Sequence, residues 1–339
     1  MLAEEYYATI CAFNRRGTLL AAGCTTGVIA IFDFVTRGVA AHLAGHSRPL
    51  NSISWSRNGR KLLTCSTDRL VILWDVEPGL IETKTAFDTA VTCAQLHPTE
   101  KHLALACPMG EDPVLIDYSD RDAHPQGLIT PLHLSDATTS EADAQPLQQK
   151  KAGGRGKADA HITASFNKDG SKIYVGDSHG NITIFDTATQ ARLQLFRVAG
   201  GAGIRSIQFN RSGTNFVINS SDRVIRLFGT ETGTQCLQDF KDVVNQLKWK
   251  KCCFSCDGDY IIGGSAEDAK HNIYIWSGDG ALLKILEGPK EGVLDLAVSN
   301  PVPAVVVFLV LETIKVCAAC CVPAVSSNTK TNNLENGTF

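Results

Sequence analysis

The sequence predicts an all-β protein, a seven-bladed β-propeller whose seventh blade is incomplete or degenerate. The first observation is a recurring phrase: an aromatic residue, Asn or Ser, two mostly polar residues, Gly, an apolar stretch, then alternating apolar residues closing on Phe-Asp or Trp-Asp. Its clearest copies run from Phe13 to Asp33, Trp55 to Asp75 and Phe166 to Asp186, and weaker ones from Phe209 to Phe228 and Phe254 to Trp276. The second is spacing: Gly17, Gly59 and Gly170 each stand sixteen positions before the closing Asp, and the first two copies are 42 residues apart. Short alternating segments at such a period, punctuated by turns, are the signature of a propeller with about four strands per blade. The third is composition, since 339 residues with 44% hydrophobic and 20% charged side chains can bury a large core.

The second copy shows how one blade is written. Ser54-Trp55-Ser56 lies on an opening strand, Arg57-Asn58-Gly59 turns, Lys61 to Cys65 is the next strand, Ser66-Thr67-Asp68 turns, and Leu70 to Asp75 is the third. With Gly45-His46 ahead of it, this copy resembles a WD40 repeat. That resemblance implies a buried hydrogen-bonded network of His46, Asp68 and Trp74 within the blade. The His and Asp are then structural, because a buried polar group must be paired. Asp222 stands six residues before Phe228, as Asp68 does before Trp74, and takes the same structural place although no Gly-His precedes its repeat.

The remaining segments follow by spacing. Leu96-His97-Pro98, Leu103 to Cys107 and Pro113 to Asp117 make a degenerate third blade, and a last unit begins near Val293. Between blades three and four, residues 119–159 turn acidic, then Thr-, Ala- and Gln-rich, and end in Lys, Gly and Arg, so a flexible insert is expected there. Its Gly-rich end is no phosphate loop: Ala158 follows Lys157 where Ser or Thr is needed. The apolar run from Ala304 to Leu311 is too short to span a bilayer. The propeller is accordingly assigned to 1–311, and 312–339 to an irregular, disordered tail.

Net charge is -3, so any attraction to a polyanion must be local. Met1 to Tyr7 carries Glu4 and Glu5 without a basic or apolar leader, so no secretory signal is expected. The twelve cysteines fit a reduced compartment. Cys253 and Cys256, like Cys317 and Cys320, have the spacing of a zinc knuckle, but a whole blade separates the pairs and core packing is the better account. Neither a Gly-x-Ser-x-Gly elbow nor a His-Glu-x-x-His run is present, so no catalytic residue, metal or cofactor is assigned. Local basic residues stand out instead. Arg69 and Arg223 follow turn aspartates, Lys248, Lys250 and Lys251 surround Trp249, and Lys290 precedes the last unit. On a shared face such residues would suit phosphate contacts.

More specific stretches point to one family. Phe13-Asn14-Arg15-Arg16-Gly17, Phe32-Asp33-Phe34-Val35-Thr36-Arg37-Gly38, Trp249-Lys250-Lys251-Cys252-Cys253-Phe254-Ser255 and Ile273-Tyr274-Ile275-Trp276 resemble the retinoblastoma-binding protein five family. This is the WD40 subunit of COMPASS and mixed-lineage-leukaemia type histone H3 lysine-four methyltransferase complexes. The resemblance implies a nuclear, non-catalytic scaffold that organises a SET-domain methyltransferase subunit with a second WD40 subunit and a SPRY-type subunit. It also implies local DNA contact on the nucleosome, with no membrane and no small-molecule substrate. Arg223 and Lys290 fall where the family's basic rim residues are expected, whereas Gln246 and Glu267 stand where further basic residues belong; Lys250 and Lys251 complete the candidate contacts. The alternative is a WD40 adaptor of another assembly, in RNA processing or ubiquitin ligation. The likeness fades after Ala297, which leads to the expectation of a truncated family member with an imperfectly closed ring.

Overall fold

Each copy of the repeat folds as one antiparallel sheet of four strands whose order in the sheet follows the chain. The computed structural model describes residues 7–36, 38–120, 124, 127–134, 162–231, 235–242, 247–265, 272–287, 293–298, 306–310, 313–317 and 337–338. Blade one is β1 (Ala8–Phe13), β2 (Leu19–Cys24), β3 (Ile29–Asp33) and β4 (Gly38–Leu43); blade two is β5 (Leu50–Trp55), β6 (Lys61–Ser66), β7 (Leu70–Asp75) and β8 (Leu80–Ala86). Blade three is β9 (Val91–Leu96), β10 (Leu103–Pro108), β11 (Val114–Asp117) and β12 (Leu128–Pro131); blade four is β13 (Thr163–Phe166), β14 (Lys172–Gly176), β15 (Asn181–Asp186) and β16 (Arg192–Arg197). Blade five is β17 (Ile204–Phe209), β18 (Asn215–Ser220), β19 (Ile225–Gly229) and β20 (Cys236–Phe240); blade six is β21 (Trp249–Phe254), β22 (Tyr260–Ser265), β23 (Asn272–Ser277) and β24 (Leu282–Glu287).

Burial explains the sequence of each strand. The second and third strands are covered on both faces by neighbouring blades, so β6 and β7 read as nearly unbroken apolar runs. Outer strands face water and carry exposed side chains, as β16 does at Leu193 and Leu195. The turn glycine joins the first strand to the second: Gly17, Gly59, Gly170, Gly213 and Gly258 have φ of 68°, 76°, 83°, 80° and 87°. Side chains rarely adopt that region, and at Gly170 an added Cβ would also run into the His97 ring of the preceding blade. The Asn or Ser that opens the turn completes it, with Asn14 Oδ1 accepting from the Thr18 and Leu19 N–H groups at 3.0 and 3.2 Å.

The expectation of seven repeat blades is corrected to six. β1 to β24 are the blades of the repeat, and the residues after them form a closing sheet of another construction: β25 (Val293–Val298), β26 (Val306–Val310), β27 (Thr313–Cys317) and β28 (Gly337–Thr338). That stretch has neither the turn glycine nor the closing aromatic-Asp pair, and its outermost strand has only two residues. β25 nevertheless packs against both β1 and β21. Leu296 joins Ile262, Ile273 and Ile275 of blade six, and Ala297 joins Ala8, Cys11, Leu20 and Ala22 of blade one. The imperfectly closed ring expected from the sequence is corrected on this ground. Two further expectations change in part: β27 and β28 fall within the segment read as irregular tail, and β12 falls within the insert read as flexible from residue 119. In β12, Leu128 to Pro131 pair with Val114 to Asp117 and complete blade three. Residues 121–123, 125–126 and 135–159 of the insert lie outside the described residues.

The core lies between blades. One cluster brings Leu43, Leu62, Ile72 and Trp74 together across blades one and two, and another brings Trp249, Tyr274 and Trp276 onto Val217 and Ile225 across blades five and six. Inner strands are also sewn to one another by polar contacts: Trp55 Nε1 donates to the Ala12 carbonyl at 2.9 Å, and the Phe166 N–H donates to Gln95 Oε1 at 2.9 Å. The turns between first and second strands therefore gather at one mouth of the channel, and those between second and third strands on the opposite face.

Candidate functional site

In blade two the structure brings His46, Asp68 and Trp74 together round a fourth residue, Thr64. The Trp74 Nε1–H donates to Thr64 Oγ1 at 2.8 Å, Thr64 Oγ1 lies 2.9 Å from His46 Nε2, and His46 Nδ1 lies 2.9 Å from Asp68 Oδ2. With the carboxylate accepting at Nδ1, the imidazole carries its proton there, and its Nε2 accepts from the threonine hydroxyl. Burial pushes His46 below its ordinary 6.5, and the Asp68 charge only partly opposes that. Burial raises the Asp68 carboxyl, but donation from the Ser47 N–H and from His46 outweighs it and leaves Asp68 below 3.8. Every polar atom that looked catalytic is thus occupied inside the blade.

Asp222 stands at the matching place in blade five and meets a different partner. Phe228 has no indole N–H, and Ile218 replaces the threonine, so the histidine-centred chain has nothing to build on. The Arg226 guanidinium lies against Asp222 instead, with Nη1 at 3.1 Å from Oδ1 and Nη2 on Oδ2, while Ser220 Oγ donates to Oδ1 at 2.6 Å. Burial alone raises Asp222; Arg226 and Ser220 overrule it and bring the carboxyl below 3.8. Arg226 was not among the residues singled out in the sequence. Its signal was present, because it occupies the strand position that Ile72 holds in blade two, and a charge there must be paired.

The basic residues separate into two kinds. Arg223 is exposed in the turn between β18 and β19 with φ 70°, and Arg69 occupies the same place in blade two with φ 69°. The Arg223 carbonyl accepts from Trp249 Nε1 at 2.9 Å, which ties the turn to blade six and fixes where its side chain leaves the surface. Lys250 is exposed on β21. The register of β21 against β22 shifts between Trp249 and Lys251, and the neighbouring Lys251 turns inward to place Nζ 2.6 Å from Asp295 Oδ1. Asp295 Oδ2 accepts from the Cys11 N–H at 2.8 Å. Burial lowers Lys251, but Asp295 overrules it and holds the ammonium above its ordinary value. Lys251, expected among the partner contacts, thus clasps blades six and one through the closing sheet. Lys290, Gln246 and Glu267 lie outside the described residues.

Comparison with known proteins follows the same lines. Residues 81–251 match the model of the nucleolar protein 10-like N-terminal domain, a β-propeller, and residues 39–75 match the WD domain, G-beta repeat. The chain is similar to the retinoblastoma-binding protein 5 homolog of Drosophila melanogaster, at 38% identity over 312 residues that cover 88% of this chain and 58% of that protein. It is similar to the Set1 complex component swd1 of Schizosaccharomyces pombe, at 33% identity over 295 residues, covering 86% of this chain and 70% of that protein. The crystal structure of the Myceliophteria thermophila Cps50 (Swd1) β-propeller domain resembles it with a TM-score of 0.80 and 29% identity, over 93% of this chain and 98% of that one. The chain spans less than two thirds of the length of several curated relatives, including 57% of the Dictyostelium discoideum protein. The nucleolar model ends within blade six, whereas the match to the Drosophila protein takes in 88% of the chain.

Proposed function

The chain belongs to the retinoblastoma-binding protein 5 family of WD40 propellers, and on that premise we propose that it is a non-catalytic scaffold subunit of a histone H3 lysine-four methyltransferase complex. The observation that carries this reading is its likeness, over 86% of the chain, to a component of the Set1 complex. The geometry agrees with it: His46, Asp68 and Asp222 are committed to partners within their own blades, so the conspicuous polar residues hold shape rather than act on a substrate. A rigid ring that presents turns at fixed angles suits the positioning of a SET-domain subunit, a second WD40 subunit and a SPRY-type subunit in the nucleus.

Nucleosomal DNA is assigned to the face that carries Arg223, with Lys250 and Lys290 as the further candidates. At a net charge of -3 the attraction depends on where the cations stand, and each one that meets a phosphate adds about one to the slope of log affinity against log salt. The test is reconstitution. The purified chain should co-purify with the SET-domain subunit and its propeller and SPRY-type partners; recovery of none of them, or of an RNA-processing or ubiquitin-ligase assembly instead, overturns the reading.

A further inference from the structure

Four cations that the proposed nucleosome face does not use stand round the opposite mouth of the channel. Arg15, Arg57, Lys168 and Arg211 each sit in the turn that follows the innermost strand, in blades one, two, four and five. All four are exposed, and all four line one cavity of about 410 Å³, with Gln95 and Gln208 of the inner strands beside them. Among the described residues none of the four makes an ion pair, whereas Arg60 and Lys61, farther out on the same face, are paired with Asp75 and Glu82 at 3.2 and 2.9 Å. The cations towards the rim are thus held in ion pairs, whereas the four at the mouth are held in none among the described residues.

The acids nearby are turned to their own backbones. Asp169, beside Lys168, accepts from the Ser171 N–H at 2.9 Å and hydroxyl at 2.7 Å, and Asp33 and Asp117 each accept from the N–H two residues on at 2.8 Å. The turns are held in place: Lys168 Nζ reaches the Ser212 carbonyl of the next blade at 3.2 Å, and His97 Nε2 lies 3.0 Å from the Gly170 carbonyl. The matching turn of blade six carries Asp257 and Asp259 instead, so the basic arc is open on that side.

We infer that this mouth binds a compact, multiply phosphorylated small molecule of the inositol polyphosphate class. Four cations on four separate turns converge on a cavity instead of forming a row, which suits a ligand charged on several sides. The volume lies within the roughly 300 to 1,000 Å³ of small-molecule sites. Single-stranded nucleic acid would need stacking platforms, and the aromatics here are already used: Phe166 is buried against His97, and Phe209 packs on Tyr174 at 5.0 Å. The Gln95 carbonyl is held by the Phe166 N–H, which leaves its amide nitrogen as a neutral donor beneath the cations.

The test is calorimetric titration of the whole chain with inositol hexakisphosphate, comparing the wild type with Arg57→Ala/Arg211→Ala. Binding that weakens at least tenfold in the variant, with an unchanged melting curve and unchanged recovery of complex partners, is the expected result. Vesicles carrying phosphatidylinositol bisphosphate separate a lipid headgroup from a soluble source, and this account expects them not to capture the chain. The inference is overturned by absence of inositol hexakisphosphate binding, by binding that the double variant leaves intact, by capture on vesicles alone, or by duplex DNA outcompeting it through the same arginines. Because partner recovery is read separately, failure here leaves the scaffold reading standing, and the reverse also holds.

Discussion

Blade two and blade five set a carboxylate at the same point of the same turn and then pair it in different ways. Asp68 faces a neutral imidazole that is itself tied through Thr64 to Trp74, whereas Asp222 faces a permanently charged guanidinium four residues on, in β19. The repeat therefore dictates where the turn acid stands and that it is paired, and leaves the chemistry of the partner open. One consequence is a difference in how each blade meets acid. Another is that residues common to the blades carry stability, which leaves partner choice to the side chains that differ between turns.

The largest effect that would break this comparison is loss of the aromatic anchor. Trp74 is 1% exposed, and Trp74→Ala should cost about 3 to 5 kcal/mol, read as a lower melting temperature. Trp74→Phe keeps most of the packing but strips the donor from Thr64, for about 1 to 3 kcal/mol. In blade five, where Phe228 has no such donor, Phe228→Leu should show only the packing cost. A cost for Trp74→Phe no larger than that of Phe228→Leu would mean that the blade-two network adds nothing beyond shape.

Removing the guanidinium comes next. Arg226 is 5% exposed but Asp222 reaches solvent, so Arg226→Ala should cost less than the ~3 to 5 kcal/mol of a fully buried broken pair. Arg226→Ile, which restores the blade-two residue at that position, should recover part of the loss. Chemical denaturation of both variants measures the difference.

Acid sharpens the contrast further. Because His46 lies below 6.5 in the fold, the unfolded chain binds more protons just under that value, and stability is lost as pH falls from about 6.5 towards the folded value. His97, also lowered by burial, acts in the same sense. Asp222 contributes fully above 3.8 and loses its contribution only as pH falls below that, towards its folded value. His46→Gln should therefore shrink the drop in melting temperature between about pH 7 and pH 5 without abolishing it, and Asp222→Asn should leave that drop unchanged. The smallest effect belongs to the turn: Arg223→Glu should move stability by less than about 0.5 kcal/mol.

What was legible in the sequence was whatever repeats. The turn glycines, the apolar second and third strands and the place of Asp68 recur at a fixed period, and local sterics enforce them in every copy. Contacts that occur once left no such mark. Asp295 meets Cys11 from 284 positions away, and neither residue lies in a motif, so Lys251 looked like a surface cation and the ring looked open. Arg226 was hidden for a related reason: its strand still alternates correctly, and only the mismatch of a charge at a covered position betrays it. The basic mouth could have been found by lining up the turns, since Arg15, Arg57, Lys168 and Arg211 follow their inner strands at nearly the same offset.

The central claim, that shared residues hold the ring and turn residues meet partners, is tested most directly by reconstituted methylation. The chain would be combined with the SET-domain subunit and its partners and assayed on nucleosomes and on a histone H3 peptide, as wild type, as His46→Gln and as Arg223→Glu/Lys250→Glu. The charge reversal is predicted to slow methylation of nucleosomes severalfold while leaving peptide methylation and the melting curve unchanged, and His46→Gln to lower the melting temperature while sparing nucleosome methylation at neutral pH. Equal rates with and without the chain, or equal loss on peptide and nucleosome in the charge-reversed variant, would contradict it.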